Sequence, residues 1–477
     1  MRFFCFGEII TMNILIVGNG FDLSHYLPTK YDHFMMAMGA IEKWDIANGE
    51  MSFDDLFGSL YEKEDYFFGY TKAMYDTDQI KISVEQITNL KKQLEKNVWY
   101  QYFFDHVKEI KTWIDFEQKI NEALILVGNF LNEIEEKFKL YGKFNYGLKI
   151  LEKSNFNEKS ECYYITKLKI DLLETLKICI SNQKFGEIIS AGLTDLRKSF
   201  IDESWYKVDK KEEYGFSSDQ YLDFLYKELD SLIKLFNDYL VLVINELEIT
   251  KNIQSPIDEV EQIYSFNYTK TFQRLYAEKQ KINYLHGRLG EDQNIVLGIS
   301  NLTSQLLIDQ KAYGFTKYHQ KLLKNTDYSF LHDIKEKLFN LYSRKEKFIY
   351  AYNSAEHMKI RSLAETQKLF KKIEDINRSL ANLNGKIIIW GHSLDRSDIN
   401  YIKEIFELNQ LEKNFEIVIY YYNSQTKFEL LANLLNILEQ EKVEIWMKKG
   451  WLKFQENPNI AEINGIRPVE LPKIAEA

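Results

Sequence analysis

The stretch "NILIVGNGFD", residues 13–22, decides the fold class of this chain. Asn13 to Val17 form a short apolar run that is typical of a buried strand, and Gly18-Asn19-Gly20 follows it directly. A glycine turn after a parallel strand lets backbone N–H groups approach a phosphate, but it serves equally well as a plain tight turn. The match to G-x-G-x-x-G is partial, because Leu23 stands at the third glycine position. The stretch therefore predicts an α/β sheet and leaves the role of its turn open.

The composition is that of a globular protein with an acidic balance. The chain has 477 residues, enough for two or three domains, and its formal net charge at pH 7 is -10. This charge argues against a general nucleic-acid surface. The 3 cysteines are widely separated and support neither a disulfide framework nor a four-cysteine zinc site. A reducing, cytoplasmic location is the natural expectation.

The first residues do not have the pattern of a secretory signal peptide. Glu8 interrupts the apolar residues, and no small-residue cleavage site follows them. The apolar run Tyr239–Ile244 is too short to span a bilayer. We therefore expect a soluble protein with no membrane partner, and Met12, directly before the strand, is an alternative start.

Strand-like segments form two further groups along the chain. Most are continuous apolar or aromatic runs, which suit strands covered on both faces of a parallel sheet. The segments are residues 262–268, 282–287 and 295–300 in the first group, and 386–394 and 415–423 in the second. Between the groups, apolar residues recur at helical spacing. The clearest helical stretches are 83–140, 225–247 and 355–382.

This arrangement predicts one α/β domain whose sheet is interrupted by large helical insertions, because connections this long are unusual as loops. The sheet domain comprises residues 12–50, 258–302 and 384–440. A helical insertion fills 51–257, a smaller one fills 303–383, and 441–477 form a C-terminal extension.

Polar side chains follow the predicted strands at their carboxyl ends, where open α/β sheets bind ligands. In "YSFNYTKTF" Asn267 ends a strand, and in "NYLHGRLG" His286 ends the next one. An imidazole at a strand end can face a cleft and act as a general base near neutral pH. A single histidine at a turn is more often structural. The convergence of several polar strand ends favours a ligand site.

The segment "IIIWGHSLDRSD", residues 387–398, ends the fourth strand. Gly391 lets the backbone approach a ligand, and the Ser393 hydroxyl can bond a ribose or phosphate. The residues from Asp395 to Asp398 fit an ordinary capped turn before a helix.

A second turn, "YLPTKYDHF", predicts a helix with Thr29 as its N-cap. Asp22, His25 and His33 have no evident metal-ligand spacing, so no metal is expected.

The order of these motifs resembles known families. "ILIVGNGFDLSHYLPTKYDHF" near the start and "IIIWGHSLDRSDINYI" near the end are similar to the AbiH family of bacterial phage abortive-infection proteins. The order of Gly-x-Gly loop, "SFNYT", "LHG" and "GHSLDRSD" is also similar to the SIR2-like domains of anti-phage NAD hydrolases. The SIR2-like match covers the sheet segments only.

The resemblance implies a Rossmann-like, SIR2-type parallel sheet that binds NAD. Asn267 would position the nicotinamide ribose or the attacking water, and His286 would be the general base. Gly18, Asn19 and Gly20 would approach the pyrophosphate, and the next loop residues in the site would be Phe21 and Asp22. The adenosine side would be lined by Gly391, His392 and Ser393.

Three residues depart from the SIR2-like pattern. Thr269 stands where an aspartate often contacts the nicotinamide carboxamide, and Asp22 replaces a small hydroxyl residue. His392 stands where tyrosine or threonine is common. There is no zinc ribbon, so the zinc-bearing deacylase branch is a poor fit.

Three functions follow from these patterns. The first is an abortive-infection effector that hydrolyses NAD, responds to a phage-encoded trigger and forms homo-oligomers through its helical insertions. The second is a non-catalytic sensor of NAD, ADP-ribose or a related nucleotide. The third is a nuclease-type toxin, against which the acidic balance and the absence of a clustered carboxylate metal site both argue.

Overall fold

The computed structural model describes most of the chain. The described residues are 13–106, 113–141, 149–152, 163–165, 170–181, 198–208, 214–277, 279–326, 329–358, 363–381, 385–409 and 415–473. The alternative start Met12 lies outside them, as do Cys5 and Cys162; Cys179 is buried and unpaired.

The centre of the fold is a six-stranded sheet in which every neighbouring pair is parallel. Its strands in chain order are β1 Ile14–Val17, β2 Gln262–Ser265, β3 Ile282–Tyr284, β4 Gly385–Trp390, β5 Phe415–Tyr421 and β6 Leu452–Glu456. Across the sheet the order is β3-β2-β1-β4-β5-β6. This is the doubly wound Rossmann order, and its topological switch point lies between β1 and β4. The predicted α/β, Rossmann-like fold is therefore confirmed.

Helices surround the sheet and fill the long connections. Before β2 lie α1 Asn19–Ser24, α2 Tyr31–Lys43, α3 Phe53–Phe57, α4 Asp65–Met74, α5 Val84–Lys96, α6 Val98–Asp105, α7 Trp113–Tyr141, α8 Ile170–Thr175 and α9 Ser218–Tyr239. Between β2 and β4 lie α10 Thr271–Leu275, α11 Gln305–Asp309, α12 Lys317–Leu323, α13 His332–Met358 and α14 Leu363–Ala381. After β4 come α15 Ile399–Glu407, α16 Ser424–Ile437, α17 Gln440–Lys448 and α18 Ile460–Ile463. No helix in the described part of the chain is long and apolar enough to cross a membrane.

Both faces of the sheet are buried, which explains the continuous apolar runs of its strands. In β1, Leu15 and Val17 face a core shared with the helices of the first insertion. Ile14 and Ile16 face the opposite core, which contains residues of α13 to α17. Alternate residues of one strand thus stabilise two separate cores.

The long connection between α2 and β2 also contains short strands that the sequence analysis did not identify. One small sheet has four strands, Lys149–Glu152, Tyr163–Ile165, Cys179–Ser181 and Lys198–Ile201. Three strand pairs accompany it, namely Met51–Ser52 with Lys81–Ile82, Tyr75–Asp76 with Glu248–Ile249, and Tyr206–Val208 with Tyr214–Phe216.

The strand prediction for residues 295–300 is wrong. This segment makes only an isolated bridge, between Ile299 and Thr316. The Gln320 side chain bonds both the backbone N–H and the carbonyl of Leu297, so a side chain takes the place of a neighbouring strand. The segment is apolar because it is buried, not because it belongs to the sheet.

Two helix boundaries also differ from the prediction. The N-cap of α2 is Lys30 rather than Thr29, whose hydroxyl is buried and has no hydrogen-bond partner among the described residues. The single helix expected over 355–382 is divided between α13 and α14, which pack against each other.

The C-terminal extension packs on the core of this chain. It supplies α17 and the edge strand β6, which pairs with β5 from Leu452 to Glu456. The Trp446 ring stacks on Phe406 of α15, with ring centroids 5.1 Å apart and an interplanar angle of 3°. The extension therefore completes the sheet through β6.

Candidate functional site

The four loops that contain the predicted site residues meet at one edge of the sheet. Asn19, Asn267, His286 and His392 lie just beyond the carboxyl ends of β1, β2, β3 and β4, respectively. These four strands are neighbours, so their loops converge around the switch point. Ligands of doubly wound sheets bind in this region.

At the switch point the loops after β1 and β4 cross in direct backbone contact. The Gly18 N–H donates to the Trp390 carbonyl at 3.0 Å, and the Gly20 N–H donates to the Gly391 carbonyl at 2.8 Å. A Cβ atom on Gly18 would lie 2.6 Å from the Gly391 oxygen, and one on Gly391 would lie 2.1 Å from the Phe21 nitrogen. Three glycines are thus required by the crossing itself, and two of the N–H groups expected to approach a pyrophosphate already have partners within the protein.

The other residues of the first loop divide between core and surface. The Phe21 ring is buried and contacts the edge of Trp390, with centroids 4.9 Å apart. Asn19 and Gly20 remain partly exposed. Of this loop, Asn19 and Gly20 are therefore the residues that a ligand could reach without displacing the core.

Asp22 is explained by its contact with Thr269, one of the other residues that depart from the SIR2-like pattern. The Thr269 hydroxyl donates to Asp22 Oδ2 at 2.6 Å, and Thr271 lies 3.0 Å from the same hydroxyl. Asp22 Oδ1 is buried without a hydrogen-bond partner among the described residues. Burial raises the pKa of this carboxyl to about 6, against the lowering effect of the Thr269 hydrogen bond and of the nearby polar groups of Thr271 and Asn267. The carboxyl thus joins α1 to the loop after β2 and keeps one oxygen unused.

Asn267 connects the loops after β2 and β1. Its side-chain amide donates to the Gly18 carbonyl at 2.8 Å, and its backbone N–H donates to the Ser265 hydroxyl at 3.0 Å. The residue is buried. Its predicted role toward a ribose or water therefore depends on an amide whose nitrogen is already bonded to the first loop.

His286 lies beside an acidic partner that the sequence analysis interpreted only as part of a capped turn. Its Nε2 atom is 3.1 Å from Oδ1 of Asp398, which directly precedes α15. The two atoms are close enough for an ion pair but are not aligned for a hydrogen bond, and both lack an aligned partner within the described ranges. Burial lowers the pKa of His286 to about 3, although Asp398 acts in the opposite direction. The imidazole is therefore neutral near pH 7.

His392 contacts the second oxygen of the same carboxylate. Its Nε2 atom lies 3.4 Å from Asp398 Oδ2, and its Nδ1 atom accepts the Leu394 N–H at 2.9 Å. The Phe266 ring packs against both imidazoles, with centroids 5.0 Å from His286 and 4.1 Å from His392. The structure thus brings His286 and His392 together around one carboxylate.

The insertions supply charged residues to this cluster that the sequence analysis missed. Lys317, at the start of α12, is buried and contacts Glu117 of α7 at 2.6 Å, with Asp398 4.0 Å away. Burial raises the pKa of Glu117 to about 7, against the effect of Lys317. Burial also lowers the pKa of Lys321 to about 8, and its ammonium lies 4.2 Å from the Tyr401 ring centroid. No local motif marks these residues, because they come from distant helices.

Ser393 lies at the rim of the cluster. Its carbonyl accepts the Asn433 amide at 2.9 Å, and the residue is partly exposed. The next residue, Leu394, is buried with a φ of 55°, a left-handed conformation that is unusual for leucine. The turn after β4 is therefore held in a strained shape, as is common beside functional sites.

One group of potential metal ligands occurs among the described residues, away from the sheet edge. Asp32, His33 and Glu64 each place a ligand atom within 4.8 Å of the others. The Lys30 ammonium contacts Glu64 and already supplies a positive charge there. The expectation that no metal is needed stays a prediction.

Comparison with known proteins gives one match. A family model described as "Bacteriophage abortive infection AbiH" matches residues 14–421. The match begins at the first residue of β1 and ends at the last residue of β5, so it includes all four loops of the site. No curated protein and no solved structure matches the chain.

Proposed function

The chain belongs to the AbiH family of bacteriophage abortive-infection proteins, and from this premise we propose that it is an effector that hydrolyses NAD. The reaction would release nicotinamide and deplete the infected cell of its dinucleotide. His286 and Asn267 would act at the scissile bond. The same proposal includes homo-oligomers and a phage-encoded trigger, both acting through the helical insertions, which contribute Lys317 and Glu117 to the site.

The observation that supports this proposal is a buried carboxylate oxygen beside the switch point of a doubly wound sheet. Asp22 Oδ1, in the helix that follows β1, is enclosed without an aligned hydrogen-bond partner among the described residues. An unsatisfied buried polar atom costs about 1–3 kcal/mol, and such costs persist where function requires them. A dinucleotide has the hydroxyl and amide groups that would satisfy such atoms.

The chemistry requires little beyond these residues. Water attacks C1′ of the nicotinamide ribose, the bond from C1′ to the pyridinium nitrogen breaks, and nicotinamide leaves as a neutral molecule. The proton of the attacking water passes to a neutral imidazole, for which His286 is placed, and ADP-ribose is the second product. Because the leaving group needs no protonation, positioning and one general base suffice.

The test is to incubate the purified protein with NAD, with and without phage lysate, and to measure nicotinamide by chromatography. We expect release by the wild-type protein and its loss in Asn267→Ala and His286→Ala. His332→Ala and Asn48→Ala, which change exposed residues of the same types, should retain it.

Because the Asn267 amide also holds the Gly18 carbonyl, each variant should be checked for folding by circular dichroism. Absence of nicotinamide under both conditions would contradict the proposal. Equal turnover by wild type, Asn267→Ala and His286→Ala would contradict the assignment of these two residues.

A second candidate is a non-catalytic sensor of NAD, ADP-ribose or a related nucleotide. The loop crossing favours it, because the Gly18 and Gly20 N–H groups are bonded internally and do not face a phosphate. Calorimetry with NAD and with ADP-ribose, combined with light scattering, separates the two functions. Tight binding without nicotinamide release, together with a ligand-dependent change of oligomer, would replace the hydrolase proposal.

A further inference from the structure

The Asp398 carboxylate lies between two imidazoles that come from different strands. His286 follows β3 and faces Oδ1 at 3.1 Å, while His392 follows β4 and faces Oδ2 at 3.4 Å. All three side chains are buried. A carboxylate that contacts a histidine nitrogen determines which ring nitrogen carries the proton.

The tautomer of His392 follows from its backbone contact. Its Nδ1 atom accepts the Leu394 N–H at 2.9 Å, so Nδ1 carries the lone pair. The proton of the neutral ring is therefore on Nε2, which lies 3.4 Å from Asp398 Oδ2 and points toward the carboxylate. Asp398 Oδ2 is therefore an acceptor for His392.

The Lys317 ammonium and the contacts with two imidazoles keep Asp398 ionised. Burial alone would raise its pKa, but Lys317, His286 and His392 lower the pKa well below the ordinary value. The other charged groups near it are Glu117, paired with Lys317, and Lys321. Asp395 completes this set through its interaction with Lys317.

An ionised oxygen 3.1 Å from His286 Nε2 would repel a lone pair on that nitrogen and stabilise a proton there. We infer that Asp398 is a positioning residue that holds His286 in the tautomer protonated at Nε2, which leaves Nδ1 as the proton-accepting atom of the ring. The inference deepens the proposed hydrolase function and rests on it only for the identity of the reaction. The water proton would pass to Nδ1, and Asp398 would stabilise the resulting imidazolium.

Asp398→Asn makes the sharpest perturbation, because His392 dictates how the new amide is oriented. The N–H of His392 Nε2 still needs an acceptor, so the Asn oxygen faces His392 and its NH₂ group faces His286. The NH₂ group then donates to Nε2 of His286 and moves the ring proton to Nδ1. Asp395→Asn is the matched control, since Asp395 accepts the Ser397 N–H and does not contact His286.

The measurement is long-range ¹H–¹⁵N spectroscopy of protein labelled at histidine nitrogen, with the His286 signals assigned from their loss in His286→Gln. In the wild type we expect His286 protonated at Nε2. His25 provides an internal reference of the opposite kind, because its Nδ1 donates to the Phe21 carbonyl at 2.7 Å and its Nε2 accepts the Tyr276 hydroxyl. Asp398→Asn should convert His286 to the Nδ1–H form, and Asp395→Asn should not.

The outcomes separate this inference from the proposed function. A wild-type His286 that is protonated at Nδ1, or doubly protonated at pH 7, overturns the inference even if Asp398→Asn does not fold. An unchanged tautomer in folded Asp398→Asn also overturns it. If NAD is hydrolysed, nicotinamide release should fall by about 10³-fold or more in Asp398→Asn, the scale expected when a catalytic histidine is held in the wrong tautomer. If NAD is not hydrolysed but the tautomers are as expected, the hydrolase proposal fails and the positioning role stands.

Discussion

The free energy of unfolding of Asp22→Asn, measured relative to that of the wild type, should be higher at neutral pH than at acidic pH. The Asp22 carboxyl is fully buried, and burial raises its pKa from the ordinary value of 3.8 to about 6. The folded state therefore binds a proton more tightly than the unfolded state does. Between about pH 4 and pH 6 the unfolded state therefore loses this proton while the folded state keeps it, and the free energy of unfolding falls.

The magnitude follows from the pKa difference. Each pKa unit corresponds to 1.36 kcal/mol, so a change from 3.8 to about 6 destabilises the wild type by about 3 kcal/mol at pH 7 and above. The penalty is small at pH 4, develops as the pH rises from 4 to 6, and is nearly complete above pH 6. Asparagine cannot ionise, and its side-chain oxygen can still accept the Thr269 hydroxyl. Effects of the substitution that do not depend on pH cancel when two pH values are compared.

The assay is equilibrium urea unfolding at a series of pH values from 4 to 8, followed by circular dichroism. The difference in free energy of unfolding between Asp22→Asn and wild type should increase by about 2.5 kcal/mol from pH 4 to pH 7.5. The exposed residue Asp292 supplies the control, and Asp292→Asn should show no comparable trend. A difference that stays constant within about 0.5 kcal/mol would refute the raised pKa of Asp22.

Three further substitutions test the packing around the site. Gly391→Ala places a Cβ 2.1 Å from the Phe21 nitrogen, whereas Gly465 has a similar positive φ and open space around its Cα. Gly391→Ala should therefore lower the free energy of unfolding by about 3 kcal/mol more than Gly465→Ala does. Equal losses would contradict the loop crossing. Lys317→Met leaves Glu117 and Asp398 buried without their cation, so it should lower the free energy of unfolding by about 3–5 kcal/mol in urea. Lys227→Met, which removes the cation of an exposed ion pair with Asp223, should lower it by less than about 1 kcal/mol. Trp446→Ala removes the stack on Phe406 and should lower the free energy of unfolding by about 3–5 kcal/mol. Ile445→Ala, at an exposed position, should change it by about 0.5 kcal/mol or less. Similar effects of the two substitutions would contradict packing of the extension on this chain.

The sheet could be predicted because buried parallel strands have a strong local pattern. The runs that contain β1, β2, β3 and β4 are all strands; β1 and β4 end directly before a glycine, and β2 and β3 end two residues before Asn267 and His286. The run at 295–300 has the same composition but is only buried coil, since pattern alone reports burial and not hydrogen-bond partners. The strand β6, Leu452–Glu456, was missed because its apolar residues alternate with charged and polar ones, as is common in an edge strand.

The site could be predicted only in part. Asn267, His286 and Gly391 were identified because each follows a strand, and strand ends are local features. The Thr269–Asp22 contact and the Glu117–Lys317 pair could not be, because each joins residues that are distant in sequence. Asp398 was interpreted as part of a capped turn, since a single sequence does not reveal that two histidines from other strands lie beside it.

The position of β1 in the sheet has a consequence for how the protein is made. Ile14 leaves the ribosome early, but its partners in the register are Gln262 on one side and Ile387 on the other. At about 5–20 residues per second, β1 waits on the order of tens of seconds for its second neighbour. A truncated translation product that ends before β4 lacks Trp390 and Gly391, so the glycine loop has nothing to cross. This edge of the sheet can therefore assemble only after the residues up to Gly391 have been synthesised.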